Sequence, residues 1–292
     1  MLYWDDSDIL HHKEMIENLS NEIAETVTMI MGSFNNVYRL SNKIGNFILL
    51  NRLLLNNNQL DTLPAEIGRL VNLKYMALYK NNIGSIPKEI GNLRNITYMF
   101  LNNNKIKTLP QEFGQLKTLT HLFLQHNQLS ELPNTLSELS LLCKINVSHN
   151  MLLVFPDVSK MTSLVKLKMD FNNMTHLPNG IRWCQMLEHL FITNNKFTEL
   201  PIDVLYLRAL VLLRVGKHDL LNIPIEYEEL KGEILVEVLV NLKIYFDNMS
   251  ATVIQKHVKG VQTRAVCGVH NPYCDTGKDY LMSMYKVTSN YL

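Results

Sequence analysis

Residues that could catalyse a reaction or hold a cofactor are few in this chain of 292 residues, and they form no complete set. The Gly-Lys pair at 277–278 has the order found in a phosphate-binding loop, but Pro272 stands where that loop requires its upstream glycine. Cys267, His270 and Cys274 are candidate zinc ligands without a second ordered pair of ligands, so free thiols in an irregular tail are the preferred interpretation. The sequence therefore predicts no enzyme activity, no cofactor and no metal site.

A basic amphipathic segment near the carboxyl end could bind an acidic protein. No acidic residue occurs in 248–274, and Ile254, Val258 and Val261 would share one face of a helix. The segment resembles the IQ motif, with matches at Ile254, Gln255, Lys259, Gly260 and Arg264. The resemblance implies that Ile254 anchors calmodulin or a calmodulin-like protein, that Gln255 bonds to its backbone, and that the two basic residues pair with its carboxylates. The alternative is a solvated helix that extends a predicted cap.

A repeat of 23 residues supplies the elements that must position any binding residues. The frame Leu-x-x-Leu-x-Leu-x-x-Asn-x-Leu-x-x-Leu-Pro-x-x-Ile-Gly-x-Leu begins at Leu50, Leu73, Ile96, Leu119, Leu142, Leu164, Leu187 and Leu210. Every step is 23 residues except that from Leu142 to Leu164, which is 22, and a weaker copy begins at Val27. The pattern resembles the Ras-group or scaffold-like leucine-rich repeat, whose period lies between roughly 20 and 29 residues. We therefore expect an α/β fold: a leucine-rich repeat solenoid of about nine repeats with a curved parallel sheet and helical caps at both ends.

Seven of the eight full frames have an asparagine after the predicted strand, and His218 takes this position in the last frame. The asparagine side chain is expected to hydrogen-bond the backbone where the chain turns inward, so that neighbouring copies form a ladder. The residues of this ladder are Asn58, Asn81, Asn104, Asn127, Asn150, Asn172 and Asn195.

The two ends of the array need caps, because a terminal coil otherwise leaves its apolar face in water. The predicted division begins with an N-terminal helical cap at 1–26, followed by a solenoid at 27–230. A C-terminal helical cap and IQ-like helix at 231–270 and an irregular tail at 271–292 complete it. The helix of the first cap is expected over 8–24, and that of the second is expected to begin at Glu226 and end at Phe246.

Residues two, four and six positions after the first residue of each frame are predicted to point out of the concave face. The front half of this face, formed by the N-terminal repeats, is mainly aromatic. The rear half, formed by the C-terminal repeats, is mainly basic. The predicted partner-binding residues are Tyr75, Tyr79, Tyr98, Phe100, His121, Phe123, Lys144, Lys166, Lys168, His189, Phe191 and Arg214. Exposed aromatic side chains are frequent interface anchors, and the lysines could guide an acidic partner. The alternative is that the rings only pack on one another along the sheet.

Composition limits the class of partner and the compartment. The net charge of +1 favours neither nucleic acid nor acidic membranes. Insertion into a membrane is not expected, because the most apolar later run, from Ile234 to Phe246, is too short to span a bilayer and carries Glu237 and Lys243. Asp5, Asp6 and Asp8 lie where a secretory signal needs basic and apolar residues. Cys143 and Cys184 lie inside the repeats rather than in disulfide-bonded end clusters, so an intracellular, cytoplasmic location is expected.

These observations predict a non-enzymatic interaction scaffold that holds a protein partner on its concave face and calmodulin, or a relative, on its IQ-like helix. Together, the two motifs resemble the leucine-rich repeat and IQ motif-containing family. Several members of that family are associated with cilia, flagella and the cytoskeleton, which the resemblance implies as a location here. Two alternatives stay open: a structural component of an axoneme or other cytoskeletal assembly, and a regulatory subunit for a phosphatase or small GTPase.

Overall fold

The computed structural model describes residues 2–3, 24–216, 229–232, 235 and 237–239. One sheet of eleven strands runs through this part of the chain, and the strands lie in sequence order. They are β1 Leu2–Tyr3, β2 Met29–Met31, β3 Arg52–Leu54, β4 Tyr75–Ala77, β5 Tyr98–Phe100, β6 His121–Phe123, β7 Lys144–Asn146, β8 Lys166–Lys168, β9 His189–Phe191, β10 Leu212–Arg214 and β11 Glu229–Lys231. Short 3-10 helices form the back of the coils at Asn42–Asn46, Ala65–Arg69, Lys88–Asn92, Gln111–Gln115, Asn134–Glu138, Ile181–Trp183 and Ile202–Tyr206.

Strands β1 to β10 are parallel, and equivalent residues of successive repeats pair with one another. Leu53 of β3 pairs with Met76 of β4, and both side chains are fully buried. On the opposite side of the coil, Pro64 precedes a 3-10 helix whose Ile67 is also fully buried. Each coil therefore closes around apolar side chains from both its strand and its return segment. This architecture is the predicted leucine-rich repeat solenoid.

The asparagine ladder is present at all seven positions. Asn104 is typical: its Nδ2 donates to the carbonyl oxygens of Leu78 and Leu101, both at 3.0 Å. Its Oδ1 accepts from the backbone N–H of Ile83 at 3.1 Å. One amide side chain thus satisfies buried backbone groups of two successive coils, which confirms the prediction.

The coil between β7 and β8 differs from its neighbours. Its repeat is one residue shorter, and the described residues between these strands contain no 3-10 helix. A turn takes its place, in which Asp157 Oδ1 accepts the backbone N–H of Ser159 at 2.6 Å. In the next coil, Gly180 has a φ of 75° and lies against Ser159, where a Cβ atom would have no space.

The structure describes the two ends of the array only in part. At the front, Leu2–Tyr3 adds a parallel strand beside β2, and the helix expected over 8–24 lies outside the described residues except for Ala24. At the rear, the helix expected to begin at Glu226 is wrong over Glu229–Lys231, which forms a strand antiparallel to β10. Helical residues follow this strand, and Leu235, Val238 and Leu239 are buried against the core. The IQ-like helix and the tail also lie outside the described residues.

Candidate interaction surface

The twelve predicted partner-binding residues lie on one face of the sheet or directly beside it. Eleven of them are in β4 to β10, and Tyr79 follows β4. The first row across the strands runs from Tyr75 through Tyr98, His121, Lys144 and Lys166 to His189. The second row contains Ala77, Phe100, Phe123, Asn146, Lys168, Phe191 and Arg214. The structure therefore brings residues that are far apart in sequence into two adjacent rows.

The front of this face is an aromatic cluster, which comprises Tyr75, Tyr79, Tyr98, Phe100 and Phe123. Phe100 and Phe123 stack with ring centroids 4.8 Å apart, as the strand spacing predicts. Tyr75 lies 5.8 Å from Tyr98 and 5.2 Å from Phe100, and it is buried beneath them. Burial, assisted by the nearby Tyr79, raises the pKa of the Tyr75 phenol to about 12. Tyr75 is thus the buried member of the cluster, while the other four rings, Tyr79, Tyr98, Phe100 and Phe123, remain partly accessible.

His121 joins the aromatic cluster to the basic half of the face. Its ring stacks on Tyr98 at 4.6 Å, and only 3% of the residue is exposed. Nδ1 lies 2.8 Å from Thr120 Oγ1, and the buried Nε2 has no hydrogen-bond partner among the described residues. Burial, followed by the positive charge of Lys144, lowers the pKa of this imidazole to about 4. His121 is therefore neutral near physiological pH.

The rear of the face is a basic cluster, which comprises Lys144, Lys166, Lys168 and Arg214. Three of its cations surround the ring of Phe191, with Lys168 Nζ at 4.6 Å, Lys166 Nζ at 5.3 Å and the Arg214 guanidinium carbon at 5.1 Å from the centroid. Arg214 also forms an ion pair with Glu229 of β11. The ring stabilises neighbouring cations that would otherwise repel one another.

The accessibility of this face corrects part of the prediction. Tyr75, His121 and Phe191 were expected to be exposed, but all three are buried. Rings on adjacent strands stand about 5 Å apart, so each covers the flank of the next. Packing along the sheet therefore describes these three residues, and the accessible part of the face lies above them.

A separate stack of three rings, outside the two rows of the sheet, was not predicted. His126, His149 and Phe171 precede the ladder asparagines, and each has a positive φ. The His126 and His149 centroids are 4.2 Å apart, and those of His149 and Phe171 are 4.1 Å apart. The sequence signal is a bulky residue at a left-handed position that three other copies fill with asparagine (Asn57, Asn103 and Asn194) and one fills with Lys80. This stack places flat, exposed rings along one edge of the concave face.

Other kinds of site are not found in the part of the chain that the structure describes. No group of three or more histidine, cysteine or acidic residues there could hold a metal ion. Within the same residues, no helix has both the length and the apolar character needed to span a bilayer. The predicted calmodulin-binding residues lie outside this part of the chain.

Comparison with known proteins agrees with this fold. The class that the architecture defines is a leucine-rich repeat solenoid of parallel coils. Residues 34–176 match the model of a family described as a leucine-rich repeat region, so the chain contains such a region. A comparison with curated protein sequences gave no match.

Solved structures with the same fold include proteins of bacteria and plants. A leucine-rich repeat protein of Leptospira interrogans gives a TM-score of 0.53 at 28% identity, covering 77% of this chain and 67% of that one. The plant peptide hormone receptor RGFR1, in complex with RGF2, gives a TM-score of 0.60 at 31% identity, covering 66% of this chain and 33% of the receptor chain. The ectodomain of the Arabidopsis thaliana receptor kinase GASSHO1/SCHENGEN3, in complex with CASPARIAN STRIP INTEGRITY FACTOR 2, gives 0.50 at 25% identity over 66% and 27%. The chain thus spans about a third or less of either plant receptor.

Proposed function

We propose that the chain is a non-enzymatic interaction scaffold that holds a segment of a protein partner on its concave face. The observation that carries this proposal is the continuous surface on which the partly accessible Tyr98, Phe100 and Phe123 adjoin Lys144 and Lys168. Aromatic side chains contribute much of the binding energy in protein interfaces, and cations mainly accelerate the encounter with an acidic partner. The partner segment is therefore one that combines an apolar anchor with acidic residues.

The fold supports this proposal, because leucine-rich repeat solenoids commonly serve as protein-interaction modules. The two plant receptors were solved with a peptide or protein factor bound. The rigidity of the ladder also suits such a role, since a surface that is already ordered loses little conformational entropy on binding.

The test is affinity purification with partner identification by mass spectrometry, followed by measurement of binding to the purified partner. We expect replacement of Phe100 and Phe123 by alanine to weaken binding at least tenfold, because two of the partly accessible rings of the aromatic cluster would be lost. Lys144→Glu should mainly slow association and make it less dependent on salt. Trp183→Ala, which alters an exposed ring outside the strands, is the matched control and should leave binding unchanged. Equal affinity of the double variant and the control would refute the concave face as the site.

We propose calmodulin, or a calmodulin-like protein, as a second partner at the IQ-like segment. The five motif matches support this proposal, together with the absence of acidic residues across 248–274. A pull-down with purified calmodulin, with and without calcium, tests it directly. Capture should disappear in an Ile254→Asp, Gln255→Ala double variant, and unchanged capture by that variant would remove this part of the proposal. Location in a cilium or elsewhere in the cytoskeleton rests on family resemblance alone and is tested by localising the tagged chain.

A further inference from the structure

The outgoing flank of the solenoid is the side formed by the segments that leave the ladder asparagines and lead to the back of each coil. The first, third and fourth residues after each asparagine point outward on this flank. In the coil of Asn150 these residues are Met151, Leu153 and Val154, which are 49%, 60% and 67% exposed. None of the other six coils that begin at a ladder asparagine has a hydrophobic residue at any of the three positions, and the weaker copy at Asn35 has a single exposed ring there, Tyr38. The exposed apolar patch is therefore a property of one coil and not of the repeat.

Backbone geometry fixes this patch at the surface. The N–H of Met151 donates to the carbonyl of Leu129 at 2.8 Å, and the N–H of Asn173 donates to the carbonyl of Leu152 at 2.9 Å, so adjacent coils are in register on this flank. Leu152 is fully buried, and Phe155 is also buried. Leu153 and Val154 cannot turn inward without displacing these two core residues. The patch remains exposed in the described part of the chain, and contiguous exposed apolar residues commonly mark an interaction site.

Charged residues lie on both sides of the patch in a self-complementary order. Lys107 lies two coils before the patch and Glu131 one coil before it, while His176 lies one coil after it and Glu199 two coils after it. All four residues are exposed. Among the described residues, none of them has an ion-pair partner. About a two-fold axis through the patch, this order pairs the basic residue with an acidic residue and the other acidic residue with the imidazole.

We propose that this flank binds a second copy of the chain about a two-fold axis that passes through the coil of Leu153. Such an axis places the apolar patch of one copy against the same patch of the other, as in an isologous dimer. It also places Glu131 opposite His176 of the other copy, and Lys107 beside Glu199 of the other copy, with each contact made twice. An imidazole N–H donates to a carboxylate whether the ring is neutral or charged. An unrelated partner would not require the flank to complement itself.

The same axis creates one unfavourable pair and limits the strength of the dimer. Lys105 lies opposite Lys196 of the other copy, but both are exposed and flexible, so solvent screens their repulsion. Three apolar side chains from each copy form a smaller contact than the roughly 1,200–2,000 Å² of stable interfaces. The dimer is therefore reversible and depends on concentration. It leaves the concave face free, so its existence does not depend on the proposed function.

The test is sedimentation velocity of the full-length chain over a range of concentrations. Wild type should show a monomer–dimer equilibrium. Leu153→Lys combined with Val154→Thr copies the residues of the coil at Lys107, so it suits the fold while removing the apolar contact. This variant should raise the dimer dissociation constant at least tenfold without changing the thermal unfolding curve. Trp183→Gln, which removes an exposed apolar ring elsewhere, should leave the constant unchanged.

A charge reversal tests the two-fold arrangement itself. Glu131→Lys should weaken the dimer about tenfold, and adding His176→Glu should restore it, because the reversed pair regains an opposite charge. A wild-type chain that stays monomeric at the highest concentration would overturn the proposal, and a different protein would then be the candidate partner of the patch. Equal dimerisation by the Leu153→Lys, Val154→Thr variant would also overturn it. So would a weakened Glu131→Lys variant that His176→Glu fails to rescue.

Discussion

His121 makes the stability of the solenoid depend on pH in a way that the structure quantifies. Its imidazole is almost fully buried on the concave face, and its folded pKa is about 4, whereas the ordinary value is 6.5. Between these two values the unfolded chain binds a proton that the folded chain does not bind. The free energy of unfolding therefore rises with pH across this window. The contribution of the neutral His121 to it is fully present above about pH 6.5 and is lost as the pH falls toward 4.

The size of the loss follows from the same pKa difference. Each pH unit inside the window changes the free energy of unfolding by about 1.4 kcal/mol per group. His121 alone should therefore cost about 2 kcal/mol between about pH 7.5 and about pH 5, and about 3 kcal/mol in total once the pH is below 4. This is a large part of the stability of a typical domain, so the effect is measurable.

The assay compares the wild type with His121→Phe by urea unfolding at about pH 7.5 and about pH 5. Phenylalanine keeps a ring on Tyr98 but cannot be protonated. All other titrating groups are common to both proteins, so their contributions cancel in the difference. We expect the wild type to lose about 2 kcal/mol more than the variant on acidification. Lys144→Gln removes the second cause of the lowered pKa and should reduce the pH dependence of the histidine-containing chain.

An identical pH dependence of the wild type and His121→Phe would refute this reasoning. It would mean that the imidazole is hydrated or finds a partner for Nε2 in solution. A direct titration of the His121 ring by NMR gives an independent measurement, and an apparent pKa near 6.5 would lead to the same conclusion.

Three further changes test the body of the solenoid, each by urea unfolding followed by circular dichroism. Gly114→Ala should destabilise the chain by about 1–3 kcal/mol, because the new Cβ would lie 2.5 Å from the backbone oxygen of Thr135, while Gly84→Ala, with open space around it, should be nearly neutral. Asn104→Ala should cost about 3 kcal/mol, since several buried backbone groups lose their partner, and a cost below about 1 kcal/mol would contradict the ladder. Phe171→Asn should stabilise the chain by about 0.5–1 kcal/mol. The left-handed φ of 52° costs phenylalanine about 1–3 kcal/mol, and its relief outweighs the lost stacking contact with His149 of about 0.5–1.5 kcal/mol. A loss of stability would show that the stacking contact is the stronger of the two.

The sequence predicted the repeating body well because each coil uses the same local rules. Alternation of Leu53 with its neighbours predicted a strand with one buried face, and the recurring asparagine predicted the ladder. Neighbouring coils repeat these choices, so the register of the sheet follows from the repeat length. The weak copy at Val27 was also recognised, since its apolar residues lie in the same frame as those of the full repeats.

The errors occur where a residue depends on partners outside its own coil. Alternation predicted which face His121 and Phe191 occupy, but their burial is set by rings and cations about one repeat away in sequence. Glu229–Lys231 directly precedes the apolar residues that predicted the helix, among them Leu235 and Val238, yet it pairs with the open edge of β10 and forms a strand. An edge strand leaves a row of unpaired backbone groups, and satisfying them outweighed helical periodicity.

The interaction surfaces of this chain lie on different parts of the same coils, which links the two proposals. The strand of the coil at Lys144 faces the concave side, and Leu153 of the same coil lies on the outgoing flank. A dimer through the flank would therefore carry two free concave faces at a fixed separation. A partner with two copies of the recognised segment would bind the second face as an intramolecular step, with an effective concentration that its linker sets. The Leu153→Lys, Val154→Thr variant should then lose this avidity for a bivalent partner while keeping its affinity for a monovalent one. Equal binding of both partners by the wild type and the variant would show that the two surfaces act separately.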